Sequence, residues 1–334
     1  MKKLSIAILL ILFCLFISLA GIYLSIIAYA QKPVGTEPVE QVIIVQSGQR
    51  FKAISNLLHE KGMIRHPVKF RLFARLKGYD KRIMAGEYLL SSDMTPGKIL
   101  EIMVEGKVRL HRLTIPEGYN LRQIAQAVET AGFGPEADFL KVATDPEFVL
   151  AAGIDAQTLE GYLFPDTYYF SLDATPEKII STMMKRFWSA FRLEWKEQAK
   201  KLGLTIHQVV TLASMIEKET GVTSERTLIS SVFHNRLKRN MRLESDPTVI
   251  YGIDDFDGNI TRKDLAHPTP YNTYTQKGLP PGPISNVGVK AIEAALFPAD
   301  TKFLYFVSKQ DRTHQFSTNF KDHNRAVRKY QLGR

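Results

Sequence analysis

The chain holds a single cysteine, Cys14, and it lies inside an apolar run near the amino terminus. Disulfides, a cysteine nucleophile and thiolate metal sites are therefore excluded from everything that follows that run. Leu12-Phe13 ahead of Cys14 also lack the small residues expected before a lipidated cysteine. Charge is missing from Leu4 to Tyr29, about 26 residues directly behind Lys2 and Lys3. At a rise of about 1.5 Å per residue, a helix of this length covers roughly 39 Å, enough to cross a hydrocarbon core of about 30 Å with some tilt. The two lysines, with no acidic residue near them, favour a cytoplasmic amino terminus and place the remainder outside the cytoplasmic membrane. A cleaved secretory signal is the competing reading, because Ala28-Tyr29-Ala30 has the small-x-small pattern of a cleavage site. The apolar stretch, well beyond the usual signal core of about 7–15 residues, suits a retained anchor better. Long Lys/Arg blocks interleaved with aromatics are absent too, and the bulk of the chain is exported under either reading, so nucleic acid is not an expected partner.

What is present is an ordinary globular composition: 334 residues, 45% hydrophobic and 23% charged, enough for two or three domains. The net charge of +10 suits an anionic polymer or a membrane surface as partner, and serves solubility equally well. Gln31 to Gln41, with Pro33, Gly35 and Pro38, reads as a short linker, so folded structure should begin at Val42. QVIIVQSGQRFKAISNLL, from Gln41, predicts a strand, a turn at Ser47-Gly48 and a helix with Ile54, Leu57 and Leu58 on one face. LTIPEGYNLRQIAQAV, from Leu113, repeats that plan at an offset of 70, setting Gly48 over Gly118 and Ile54 over Ile124. A second echo pairs TPGKILEIM from Thr95 with TPEKIISTM from Thr175, each a helix opened by a Thr N-cap and a Pro in the first turn. The offset there is 80, as a ten-residue insertion near Asp138 to Gly153 would produce. Residues 42 to about 183 therefore read as two related α+β units, against chance similarity of short strand-turn-helix pieces. The V-x-x-G-x-x-x-x-x-I-x-x-x-L pattern of the first resembles LysM glycan-binding modules, and a plain packing unit is its alternative. Phe187, Trp188, Phe191 and Trp195 recur at helical spacing and are expected in a core.

TIHQVVTLASMIEKET, from Thr205 to Thr220, predicts a mostly buried helix with Val209, Leu212, Ala213 and Ile216 on one face. Glu217 follows Met215-Ile216 at the end of its apolar stretch, and Lys218 and Glu219 begin a polar one. A carboxyl seated against apolar side chains resists ionisation and can donate a proton near neutral pH, as a general acid at a glycosidic oxygen must. A solvated or ion-paired Glu is the plainer alternative.

The motifs LASMIEKETGVTSER, SVFHNRL, MRLESDPTVIYGI, PYNTYTQKGLPPGPISNVG, AALFPA, LYFVS and HQFSTNFKDHN occur in that order. Together they resemble the endolytic murein transglycosylase family of bacterial cell-wall enzymes, a resemblance that covers nearly the whole chain. It implies cleavage of nascent peptidoglycan strands beside the membrane, limiting their length, with the first Glu of the EKET motif, Glu217, as the acid/base. Peptidoglycan synthases of the same membrane are the implied protein partners, though no residue identifies one. Ordinary glycosidases need two carboxylates about 5–9.5 Å apart. Glu219 is a poor second, since i and i+2 face different sides of a helix. Lytic transglycosylation needs only one: the acid protonates the bridging oxygen and the C6 hydroxyl of the same N-acetylmuramic acid closes on C1, giving a 1,6-anhydro end.

Supporting residues follow from their chemistry. Asp246, before Pro247, is expected to cap the next segment or else steer a sugar amide. Asn235, Asn272 and Tyr274 carry the hydrogen-bonding groups and flat face that sugars favour. Gly278 to Pro283 should form a rigid wall, or a structural turn alone. Glu225 is expected to hold Arg226 or Arg236. His314, His323 and Asn324, without cysteine or a spaced carboxylate motif, make a poor zinc site, so no metal and no cofactor are expected. A hydrolytic muramidase using Glu217 with Asp246 or Glu225, and a non-enzymatic glycan-binding scaffold, are the rival readings. The predicted organisation is α+β: cytoplasmic end and transmembrane helix over 1–30, linker over 31–41, LysM-like unit over 42–110, second α+β unit with connecting helix over 111–200, and catalytic domain over 201–334.

Overall fold

The computed structural model describes Lys2 to Gly333, with side chains in the first helix from Ile6 onward, so the side chains of Lys2 and Lys3 lie outside the described residues. The chain divides into two compact units. One runs up to His111 and takes in Tyr169–Asp173; the other holds Arg112–Tyr168 and everything from Ala174. The architecture is mixed α+β, mostly helical, with three two-stranded sheets among the described residues.

The first unit contains α1 (Lys2–Ala30), β1 (Glu40–Val45), α2 (Phe51–Glu60), α3 (Pro67–Leu76), β2 (Gly86–Ser91) and α4 (Pro96–Val104). Helix α1 is apolar and long enough to cross a membrane over Ile6–Ala30. Strands β1 and β2 pair antiparallel, with Ile43 opposite Tyr88 and Val45 opposite Gly86. Ile43 and Val45 point into the core while Ile44 stays exposed, the period-two pattern of a half-buried strand. Thr95 caps α4 through Lys98 N at 3.2 Å, with Pro96 opening the helix as its spacing predicted. The predicted linker is pinned rather than loose: Gly35 N donates to Ser92 O at 2.9 Å, and Ser92 Oγ donates to Glu37 O at 2.8 Å. The last turn of α1 also belongs to this unit. Ile26 and Ala30 are buried in the cluster formed by Phe70, Phe73, Ile99 and Leu100, and a side chain at Gly97 would come within 3.0 Å of the Ala30 carbonyl.

The second unit begins along β3 (His111–Thr114), and continues through α5 (Leu121–Thr130), α6 (Glu136–Ala143) and α7 (Pro146–Ala151) to the first half of β4 (Thr167–Phe170), the partner of β3, whose Tyr169 and Phe170 count with the first unit. Next come α8 (Pro176–Ala190), α9 (Leu193–Leu202), α10 (Ile206–Glu219) and, after one 3-10 turn, α11 (Arg226–Lys238). The remainder is α12 (Asp246–Tyr251), α13 (Arg262–Ala266), α14 (Val289–Leu296), the antiparallel pair β5 (Tyr305–Ser308) and β6 (His314–Ser317), and α15 (Phe320–Tyr330). Thr175 caps α8, and Asn120 and Thr205 form reciprocal capping boxes at the heads of α5 and α10. Phe187, Phe191 and Trp195 are buried, with Phe191 and Trp195 meeting edge to face at 5.6 Å between centroids. Trp195→Ala should therefore cost about 3–5 kcal/mol, read as a lowered urea midpoint; a change below about 1 kcal/mol would contradict this packing.

Candidate active site

Helix α10 supplies the platform. From Val209 to Ile216 every residue is buried, so this helix is enclosed on all sides rather than along one stripe. Its polar residue Ser214 clamps the incoming segment from Ile284: Ser214 Oγ accepts from Ile284 N at 3.0 Å and donates to Thr211 O at 2.7 Å. The Gly278–Pro283 loop lies over the start of the same helix, where His207 Nε2 bonds Pro281 O at 2.9 Å and His207 Nδ1 meets Tyr162 Oη at 3.0 Å. Gly161, at φ +86, is needed for this closeness, because a side chain there would meet Pro283 at 2.6 Å and Val210 at 2.8 Å.

Beyond Ile284, Asn286 is fully buried and ties three segments together. Its Oδ1 accepts from Leu163 N at 2.8 Å, its Nδ2 donates to Glu160 Oε1 at 2.8 Å and Tyr119 O at 3.1 Å, and its carbonyl accepts from Gly118 N at 2.9 Å. Glu160 is itself buried and receives Leu121 N at 2.9 Å and the Tyr251 hydroxyl at 3.2 Å. Burial pushes the Glu160 carboxyl up to about 7 despite these donors. This network brings the Glu117-Gly118 turn and Gly288, at the head of α14, to the last turn of α10.

Glu217 sits where they meet. Its side chain is 4% exposed, Oε1 accepts from Arg226 Nη2 at 2.7 Å, and Oε2 accepts from Gly288 N at 3.1 Å. Burial raises its pKa above the usual carboxylate range; the Arg226 guanidinium and the Gly288 amide pull the other way, and the neighbouring Glu117 carboxylate adds to the rise. Glu117 Oε2 lies 3.6 Å from the same Arg226 Nη2. Lys218 is turned away, its ammonium donating to Gly118 O at 3.3 Å. The arrangement is a buried carboxyl able to hold and release a proton, beside a second, half-exposed carboxylate and one shared guanidinium.

The other residues singled out in the sequence are placed differently. Glu219, read as part of a polar stretch and a poor second carboxylate, accepts from Ser245 Oγ at 2.5 Å and is pushed up to about 7 by burial. Asp246 does not cap α12: Ser245 occupies the cap position, Asp246 is the first helical residue, and its Oδ1 accepts from the Tyr274 hydroxyl at 2.6 Å. Asn272 is buried and its Nδ2 donates to three carbonyls at the end of α13, those of Asp264, Leu265 and His267, while Oδ1 accepts from Tyr274 N; its amide is committed to joining α13 to the following loop. Asn235 likewise donates to Thr301 O and Phe303 O, tying α11 to the chain before β5. Glu225 holds neither arginine; it receives His314 N at 2.9 Å and meets His314 Nδ1 at 2.7 Å. Arg236 instead pairs with Glu244 at 2.9 Å. The sequence reading missed Glu117, Arg226 and Gly288 as site residues, although Glu117-Gly118 and Thr-Ser-Glu-Arg both stood inside its motifs.

Residues 43–329 match the model of the YceG-like family. The endolytic murein transglycosylase of Bacillus subtilis strain 168 is 34% identical over 316 residues, covering 88% of this chain and 87% of that protein. The enzyme of the same name from Streptococcus pneumoniae R6 is 32% identical over 315 residues, and the alignment spans 85% of this chain but 57% of the longer pneumococcal protein. A crystal structure of a yceG-like protein from Listeria monocytogenes superposes with a TM-score of 0.60 at 35% identity, covering 86% of this chain and 99% of that one. This chain belongs to the YceG-like family.

Proposed function

We propose that the protein is an endolytic lytic transglycosylase that cleaves the β-1,4 bond between N-acetylmuramic acid and N-acetylglucosamine in nascent peptidoglycan, with Glu217 as its acid and then its base. The observation that carries this reading is the environment of Glu217: a carboxyl buried against α10, raised in pKa, and held by Arg226 and Gly288. The reaction balances with that one group. Glu217 gives its proton to the bridging oxygen as the C1–O bond breaks, the muramic C6 oxygen bonds to C1, and the C6 hydroxyl proton returns to Glu217. The intramolecular nucleophile lowers the entropic barrier, and no water is consumed. The exposed Asp246, bonded by the Tyr274 hydroxyl, directly follows Ser245, which is bonded to Glu219 at the end of α10, so Asp246 and Tyr274 are the proposed sugar contact on that side.

Anchoring by α1 is supported by the packing of its last turn, where Ile26 and Ala30 are buried in the core of the first unit, so that retaining the helix completes that core. The amino terminus is then cytoplasmic, with everything after α1 on the outer side. The first unit's strand, two helices and antiparallel return strand support a LysM-like role in holding glycan. Cleavage of nascent glycan in water labelled with oxygen-18, by the full chain in lipid vesicles, tests the chemistry. Unlabelled 1,6-anhydro ends are expected; labelled reducing ends would replace this reading with a hydrolytic muramidase.

A further inference from the structure

Glu117 stands on the solvent side of Glu217. Its side chain is 49% exposed, against 4% for Glu217, and both carboxylates approach the same Arg226 nitrogen, at 3.6 and 2.7 Å. Its carboxyl also rests on Gly288, where any Cβ would overlap it. The glycine that sends its amide to Glu217 is therefore also what admits Glu117. A Glu in an exclusive, buried ion pair with Arg is held ionised and makes a poor acid. The charged or polar groups facing Glu217 are Arg226 from α11, the Gly288 amide at the head of α14, Lys218 on its own helix and Glu117 from the turn after β3. Among these described groups, Glu117 alone is negative.

We propose that Glu117 is a positioning residue for the reaction: by sharing Arg226 and lying against Gly288, it keeps the guanidinium from pairing with Glu217 alone and so lets Glu217 carry the proton it delivers to the glycosidic oxygen. This inference rests on the assignment of Glu217 as the acid. Its sign is definite. Glu217 must be protonated to act, so activity is lost as pH rises through its pKa, and removing the Glu117 charge lowers that pKa.

The test is the pH profile of kcat/KM for the full chain in lipid vesicles acting on nascent glycan. In Glu117→Gln the alkaline limb should move to lower pH, with a loss of up to about fivefold on that limb, as a half-exposed charge supplies, and little loss on the acid side of it. Glu117→Asp, which keeps the charge, should restore most of the profile. Gly288→Ala, which displaces the Glu117 carboxyl, should move the limb the same way. A uniform loss at every pH with the limb unmoved in Glu117→Gln would leave Glu117 a structural role only and overturn the proposal. Glu217→Gln separates the two levels: residual wild-type activity would remove the acid assignment itself, whereas an inactive Glu217→Gln beside an unmoved Glu117→Gln limb would remove this inference alone.

Discussion

Glu217→Gln should lower the rate of glycan cleavage by about a thousandfold, within the 10²–10⁴ that a positioned general acid supplies. Gln keeps the shape of the side chain and can still accept from Arg226 at Oε1, so the geometry at 2.7 Å survives. What it loses is the transferable proton. The amide NH2 would also face the Gly288 N–H that now donates at 3.1 Å, a local cost of one hydrogen bond. Glycan affinity and thermal midpoint should change little, since the substitution deletes no apolar surface. The loss should persist at low pH, because no pH makes Gln an acid. Cleavage within threefold of wild type, measured by strand-length analysis at saturating substrate, would contradict the assignment.

The second large effect concerns stability. Glu160 and Glu219 are both enclosed, and burial lifts each from an ordinary 4.5 to about 7. Between these values the unfolded chain releases its protons while the folded one keeps them, so the unfolded state binds fewer protons and stability falls as pH rises. The contribution is fully present below about 4.5 and lost by about 7. Each group accounts for about 3 kcal/mol, at 1.36 kcal/mol per pKa unit. Surface carboxylates such as Asp166, held low by Arg186, titrate at lower pH and act with the opposite sign there. Urea unfolding of the full chain in detergent should thus show a lower midpoint at pH 8 than at pH 5. Glu219→Gln should remove part of that slope, because Ser245 can still donate to the amide oxygen; Glu160→Gln should destabilise instead, because its new NH2 would face a donor on either side, Asn286 at the Oε1 position or Leu121 N and Tyr251 at the Oε2 position. A flat midpoint across this range would show that neither carboxyl is enclosed as described.

Much of the local structure was legible because it follows from residues close in sequence. Thr95-Pro96, Thr175-Pro176 and the Thr205 capping box announce their helices within four residues, and the apolar spacing from Val209 to Ile216 announces burial. The burial of the Glu217 side chain was legible for the same reason, since its apolar neighbours precede it on one helix. The rest of the site depends on chain segments far apart. Gly288 reaches Glu217 across 71 positions, and Lys218 reaches Gly118 across 100, through a network centred on Asn286 whose pairings no local pattern encodes. Glu219 gave no sign of burial in its polar stretch because its cover, Ser245, lies 26 positions away. Asp246 looked like a cap because Asp before Pro is one, but Ser245 takes the extended backbone position and leaves Asp246 inside the helix, free to meet Tyr274. Asn272 carried the chemistry of a sugar ligand, yet an amide with carbonyls at the end of α13 within 2.7 to 3.2 Å is spent before any substrate arrives.

The most direct measurement is mass spectrometry of muropeptides released from nascent peptidoglycan by the membrane-embedded protein, with Glu217→Gln in parallel. Wild type should yield 1,6-anhydro ends and the variant almost none. Anhydro ends that persist undiminished in Glu217→Gln would show that the proton comes from elsewhere.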